Sequence, residues 1–437
     1  MTGMLMFPAL FLLIFAGFPV AFSLLGVAFA FGLHTFGDAV FFQFTQKIED
    51  VASNYVLAAV PLFVLMGALL ERSGIAEQLF NAVHMWTRRL PGGLAVGTIV
   101  MCVIFAASTG VIGATETVVG LLAIPAMLKR AYSHSLILGT ICAGGSLGTI
   151  IPPSLVVVIM GPIANVSIGD LMTGMILPGL VMAALYVAYI LTLCVLHPAS
   201  GPPSSPDPSE PPFWTKVAVS LWALIPPVIM IFAVLGSIII GWAAPTEAAG
   251  IGVVGAVLMT ILYGRFSLAM VWEALQKTLL ITGMIMFILL AGSLFTGAFV
   301  GAGGMRFMRL TIRALDLGPE LLLLAFLALV FIAGFFLEWV SILLIFLPIF
   351  MPFVTAAGFD PVWFCILVLI VIQTSYLTPP MAPAIFYLRG IAPPSITLRQ
   401  MYAGVVPFIL IQLLTLAIVA VFPQLALWLP ARLLGAH

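Results

Sequence analysis

Apolar stretches of bilayer-crossing length follow one another along nearly the whole chain, and this sets the fold class before any motif is considered. They run roughly over Met4–Leu33, Tyr55–Leu70, Leu94–Phe105, Leu136–Met160, Leu171–Leu196 and Val217–Ile240 in the first part. They continue over Ala248–Tyr263, Leu279–Val300, Leu321–Leu337, Ser341–Val354, Val362–Leu377 and Ala403–Leu429. A spanning helix takes about 20 mostly apolar residues. Only 7% of residues are charged, against about 25% in a soluble domain that must wet its surface. The outer solvent of this chain is therefore largely lipid, and the expected class is an all-α polytopic membrane protein.

Charge excludes other classes. Fifteen Lys and Arg balance fifteen Asp and Glu, with no basic tract to hold nucleic acid and no acidic tail. The four cysteines (Cys102, Cys142, Cys194, Cys365) are scattered through apolar segments without metal spacing and read as small buried hydrophobes. The first apolar run is long and lacks a basic leader, so it reads as a retained helix rather than a cleaved signal. Lys and Arg are spread too thinly for the positive-inside rule to fix orientation.

One segment breaks the pattern. Residues 197–213 carry a proline-rich run, His197 to Pro212, that favours extended, solvated backbone and reads as a linker between halves at 1–196 and 214–437. The halves share motifs in the same order. Ile151-Pro-Pro-Ser154 and Thr173-Gly-Met-Ile-Leu-Pro178 in the first match Thr378-Pro-Pro-Met381 and Tyr402-Ala-Gly-Val-Val-Pro407 in the second. Gly67–Gly74 likewise resembles Gly297–Gly304, and Ile124-Pro125 resembles Leu347-Pro348. Paired repeats of this kind characterise secondary transporters, with a solute site near the bilayer midplane. They are inverted if each half crosses the membrane an odd number of times.

Lipid tolerates broken backbone only where protein or a water-filled cavity satisfies the freed amides, so breaks inside apolar stretches point to a site. In Ala107–Thr117, Gly110 and Gly113 permit an unwound turn, and freed carbonyls with the Ser108 and Thr109 hydroxyls suit a hard cation such as Na+. In Ala143–Ser154, Gly144, Gly145 and Gly148 precede Pro152 and Pro153, which no regular helix accommodates. A break there directs carbonyls, Ser146 and Thr149 inward, and turns the next helix N-terminus, at Ser154, toward an anion. The second half repeats the design at Gly334–Ser341, with Glu338, and at Gln373–Pro380, with Thr374, Ser375 and Thr378 before Pro379 and Pro380. For any single glycine, close helix packing is the competing explanation.

The carboxylates Glu116 and Glu338 each follow such a break. A buried carboxylate pairs, binds a cation, takes a proton or caps loose backbone. Glu247 in Pro245-Thr-Glu-Ala248 reads as a structural first-turn acid, with Thr246 as the cap. The five histidines show no metal spacing. Residues 77–90, with Trp86, Arg88 and Arg89, and residues 305–316, with Arg306, Arg309 and Arg313, read as amphipathic arms along the membrane surface. Arg389 follows the second proline pair and is a candidate partner for an anionic substrate.

These residues resemble the large membrane subunit of TRAP (tripartite ATP-independent periplasmic) transporters. The resemblance rests on Gly139–Ser154, Ile124–Tyr132, Ala244–Ala249, Leu347–Pro352 and Thr378–Pro380, in family order and over essentially the whole chain. It implies a scaffold with a moving, elevator-type transport domain. Two re-entrant hairpins would lie at about 94–127 and 321–354, facing broken helices at about 136–161 and 362–388. It implies Na+-driven import of an organic acid across a bacterial or archaeal cytoplasmic membrane. A periplasmic binding protein would deliver the substrate, and a small four-helix membrane subunit, expected as a separate chain, would brace the scaffold. The Na+ ligands would come from Ser108, Thr109, Gly110, Gly113, Gly144, Gly145, Ser146, Gly148, Thr149, Gly334, Glu338, Thr374, Ser375 and Thr378. The substrate would meet Ser108, Thr109, Ser154, Thr374 and Arg389. Glu338 stands where many members have aspartate, Gln373–Tyr376 replaces a more glycine-rich stretch, and Thr115-Glu116-Thr117 replaces small residues. No organic cofactor is expected beyond Na+ as coupling ion.

Two other functions are compatible with a chain of this composition. One is a standalone ion-coupled carrier with similar hairpins and no binding protein. The other is an integral membrane enzyme, which needs a nucleophile with its base, a carboxylate dyad or a metal set. The chain holds no HExxH, no GxSxG and no paired histidines, and only Glu116 with Glu338 would offer a dyad.

Overall fold

The computed structural model describes residues 2–109, 113–203, 211–380 and 382–435, and every regular element among them is helical. A short 3-10 turn (Thr2–Leu5) leads into α1 (Met6–Phe15) and α2 (Val20–Phe36). The apolar run Met4–Leu33 is thus two helices. Gly17 takes a left-handed φ of 94°, and Pro19, which has no N–H to give, sits at the N-cap of α2. Next come α3 (Ala39–Ala52), a 3-10 turn (Tyr55–Ala58) and α4 (Ala59–Arg72).

From α4 the chain runs through a series of elements that returns in the second half. Gly74, left-handed at φ 79°, turns α4 into the amphipathic α5 (Ile75–Thr87). An antiparallel pair follows, α6 (Gly93–Thr109) and α7 (Ala114–Lys129), then α8 (His134–Ser146), a 3-10 turn (Leu147–Thr149) and α9 (Leu155–Ala164). The first half closes with α10 (Ile168–Gly174) and α11 (Ile176–Leu196). The start of the linker is docked rather than solvated: Gly92 N–H donates to Gly201 O at 2.8 Å and Ser133 N–H to Ser200 O at 3.0 Å.

The second half opens with α12 (Phe213–Ile239), α13 (Pro245–Leu262) and α14 (Leu268–Gly301). Ala244, not Thr246, is the N-cap of α13. Glu247 reaches back to accept the Ala244 N–H at 2.8 Å, so the acid does the capping that the hydroxyl was expected to do. Gly303, at φ 80°, then turns α14 into the amphipathic α15 (Gly304–Ala314). On α15, Arg306, Arg309 and Arg313 are exposed while Met305, Met308 and Ile312 pack inward. The pair α16 (Pro319–Ala333) and α17 (Trp339–Ala356) follows, then α18 (Pro361–Leu377), α19 (Pro383–Arg389), α20 (Leu398–Val421) and α21 (Gln424–Leu433).

Seven helical segments among the described residues are long and apolar enough to cross a membrane. Two bodies of packing follow from the apolar faces. In one, α14 lies along α2 and α4, α4 packs on α13, and α13 on α12. Arg72 Nε holds Glu273 Oε2 at 3.3 Å, and Lys277 pairs with Glu71, which ties α4 to α14. In the other, α6, α7, α8, α18 and α20 form a bundle. There α8 and α20 meet backbone to backbone: a Cβ on Gly139 would lie 2.1 Å from Gly404 O, and one on Gly404 2.2 Å from Ser135 O. Only glycine fits at that crossing.

Candidate functional site

The last turn of α6 lies inside the protein. Ser108, Thr109, Thr115 and Glu116 are all fully buried. Ser108 Oγ donates to Ile104 O at 2.9 Å and Thr109 Oγ1 to Phe105 O at 3.1 Å. Both protons thus rest on the helix's own carbonyls, leaving oxygen lone pairs, the form in which a hydroxyl ligates a cation. Gly113 opens α7, and its N–H donates to Glu116 Oε2 at 2.9 Å. Glu116 therefore caps the hairpin tip, while its Oε1 has no partner among the described residues. Gly110 lies outside the described residues.

Facing this tip, α8 stays helical through Ser146, so Gly144 and Gly145 do not unwind it. They let the hairpin in. A Cβ on Gly144 would lie 2.6 Å from Cys102 Sγ, and one on Gly145 2.4 Å from Glu116 Cδ. Their carbonyls already accept the Leu147 N–H. The break begins one turn later, where Gly148 and Thr149 sit in the 3-10 turn, and runs through the cis-linked Pro152–Pro153. Ser154 Oγ closes it by donating to Thr149 O at 3.0 Å.

The second half builds the counterpart. Residues 334–337 turn between α16 and α17, and Glu338 is the N-cap of α17. Gly334 packs against α18 so closely that a Cβ would lie 2.3 Å from both Cβ and Oγ of Ser375. Thr374 Oγ1 donates to Ile370 O at 2.8 Å, Ser375 Oγ to Val371 O at 3.0 Å and Thr378 Oγ1 to Thr374 O at 2.7 Å. Again the hydroxyl protons are spent on helix carbonyls. α18 ends at Leu377, the Pro379–Pro380 bond that follows is cis, and Ala382 is left-handed at φ 34°. Arg389 stands apart from this cluster, exposed at the end of α19 and donating to Ile396 O at 2.8 Å.

Ser146 belongs to a different arrangement. Its hydroxyl donates to Ala143 O at 2.8 Å and accepts from Gln373 Nε2 at 3.1 Å and Gln412 Nε2 at 3.3 Å. This joins α8, α18 and α20 in the bundle core. Gln412 escaped the sequence reading, although an amide within an apolar run was a usable signal.

Between the bundle and α14 lies a cavity of about 440 Å3. The second hairpin contributes Glu338 and Trp339, the end of α18 Ser375 and Tyr376, α19 Tyr387, and α9 its first residues, Leu155 and Val156. Ile281, Met284 and Ile285 of α14 close the far side. The first hairpin reaches the same place, since a Cβ on Gly113 would lie 3.0 Å from the Tyr387 ring. The volume is that of a small-molecule site, and residues from both sides of the proline-rich segment line it. Glu116 caps Gly113 while Glu338 lines the cavity, and the two share no hydrogen bond, so they do not form a dyad.

The fold is similar to that in the crystal structure of the Alcanivorax borkumensis YdaH transporter, with a TM-score of 0.67 over 96% of this chain and 98% of that one, at 16% identity. In sequence the chain is 30% identical over 424 residues to the sialic acid TRAP transporter large permease protein SiaM of Vibrio cholerae, covering 97% of each. It is also 30% identical over 388 residues to the C4-dicarboxylate TRAP transporter large permease protein DctM of Pseudomonas aeruginosa, covering 88% of each. The model of the family described as tripartite ATP-independent periplasmic transporter, DctM component, matches residues 7–425. Breaks, hairpins and cavity thus sit on a chain that belongs to the large permease (DctM) family of TRAP transporters.

Proposed function

We propose that this chain imports an organic carboxylate driven by Na+, taking it from a periplasmic binding protein and working beside a small membrane subunit carried on a separate chain. As a large permease of its family it is a multi-pass inner-membrane protein of secondary organic-acid transport, and not an enzyme. What supports the Na+ reading is the state of the hydroxyls at both breaks: each has given its proton to a helix carbonyl and retains lone pairs. The first ion site would draw on Ser108, Thr109 and Thr149, the second on Gly334, Thr374, Ser375 and Thr378. Glu338 faces the cavity and is left out of these sets.

In this mechanism Na+ orders the two breaks and the carboxylate enters the cavity. The bundle then carries that cavity past α14 and α4 to the other side, an elevator movement between inverted repeats. The test is uptake of radiolabelled organic acids into proteoliposomes holding both membrane subunits under an inward Na+ gradient. Uptake that needs Na+ and the binding protein is expected. In Ser108→Ala and Thr378→Ala the Na+ concentration for half-maximal uptake should rise about tenfold, the scale of one lost ligand. Uptake without any binding protein would point to a standalone carrier.

A further inference from the structure

Among the described residues that line the cavity, Glu338 is the one acidic side chain. Glu338 lines the chamber from the N-cap of α17, where its carboxylate caps no N–H of the helix it precedes. No Lys, Arg or His lines the cavity among the described residues. Arg389, which follows the lining residue Tyr387 on α19, is exposed and donates to Ile396 O at 2.8 Å.

Around Glu338 stand four aromatic rings, Phe336, Trp339, Tyr376 and Tyr387. Ring faces attract ammonium and guanidinium groups, more so where water is excluded. The Tyr376 hydroxyl is buried without a partner among the described residues. In the same lining, α9 begins at Leu155 and Val156 with no side-chain cap: Ser154 Oγ donates to Thr149 O and accepts no first-turn N–H. Its first-turn amides suit a carboxylate. A solute with carboxylates alone would set like charge against the Glu338 carboxylate, with no basic side chain among the described lining residues to offset it.

We propose that the solute is a zwitterionic organic acid, whose carboxylate meets the start of α9 and whose ammonium, amidinium or quaternary amine is held by Glu338 and the aromatic wall. This rests on the reading of the cavity as the solute chamber, and it narrows the substrate class within that reading. Glu338 then acts as the solute's counter-ion and not as a Na+ ligand.

The experiment uses the complete transporter, both membrane subunits in proteoliposomes with the binding protein, and radiolabelled succinate and pyruvate against L-proline, L-glutamate and glycine betaine. Uptake of a zwitterion, with succinate and pyruvate left outside, is expected. Glu338→Gln should raise KM for that zwitterion about tenfold and leave half-saturation by Na+ unchanged, and Glu338→Asp should restore most of the affinity. Matching melting curves of the purified variants exclude misfolding as the cause. Preferred uptake of succinate or pyruvate overturns the proposal. So does a Glu338→Gln variant whose Na+ half-saturation shifts while KM stays put, since the carboxylate is then a cation ligand. Uptake of no acid at all overturns the transport reading itself, and this proposal with it.

Discussion

Glu116 and Gly145 occupy adjoining space across the first hairpin, so close that a Cβ on Gly145 would lie 2.4 Å from the Glu116 carboxyl carbon. Non-bonded carbons pack at about 3.5–4.0 Å, so the start of α7 seats on α8 only because residue 145 has no side chain. Gly145→Ala should displace the tip and cut uptake at least about tenfold, with a melting loss in the range of overpacking, about 1–3 kcal/mol. Unaltered uptake would mean the tip tolerates the shift.

Glu116 itself separates two roles by one substitution. Glu116→Gln keeps an oxygen to accept the Gly113 N–H, so a capping role predicts uptake within about twofold of the parent. Glu116→Ala removes that acceptor and should cost about 1–3 kcal/mol in thermal unfolding. Lost uptake in the Gln variant, with melting unchanged, would instead assign Glu116 a charge-carrying role.

The meeting of α8 and α20 at Gly139 and Gly404 predicts a stability effect away from any ion. Gly404→Ala would drive its methyl to 2.2 Å from Ser135 O. The backbones must part, at a cost of about 1–3 kcal/mol or more. Differential scanning fluorimetry in detergent checks this, and a neutral result would show that the two helices are not so closely packed.

Ser146 provides the sharpest contrast with the ligand set that the resemblance implies. Its proton and both lone pairs are already engaged by Ala143, Gln373 and Gln412. Ser146→Ala should therefore strand two buried amides and cost about 1–3 kcal/mol of stability, with Na+ half-saturation unmoved. A shifted Na+ dependence would return Ser146 to the ion site.

Those residues also mark where sequence stops being informative. The helical class and the proline-pair breaks follow from hydropathy and from residues whose local geometry is restrictive, such as Pro152, Pro153, Pro379 and Pro380. The fate of Gly144 and Gly145 does not, because a glycine that unwinds a helix and one that admits a neighbour look alike in sequence. Ser146 finds its partners 227 and 266 positions away, which no local pattern encodes. The split of the first apolar run was legible in Gly17-Phe-Pro19. The cap at Ala244 was masked by the more familiar capping residue Thr246 beside it.

The last prediction concerns pH and lies outside the spanning segments, on the amphipathic α5. His84 stacks against Phe80 with ring centroids 6.1 Å apart, and its Nδ1 is buried without a partner. Burial, aided by Arg130 and Arg88, lowers its pKa from the usual 6.5 to about 4. The folded protein thus binds a proton less readily than the unfolded chain. The stability this neutral ring contributes is complete above pH 6.5 and declines as pH falls toward 4. Melting temperature measured across that window should therefore drop on acidification, and His84→Gln, which cannot take up the proton, should flatten part of the slope. An identical slope in the variant would show that acid acts on other groups, and that the α5 histidine is already solvated well enough to titrate freely.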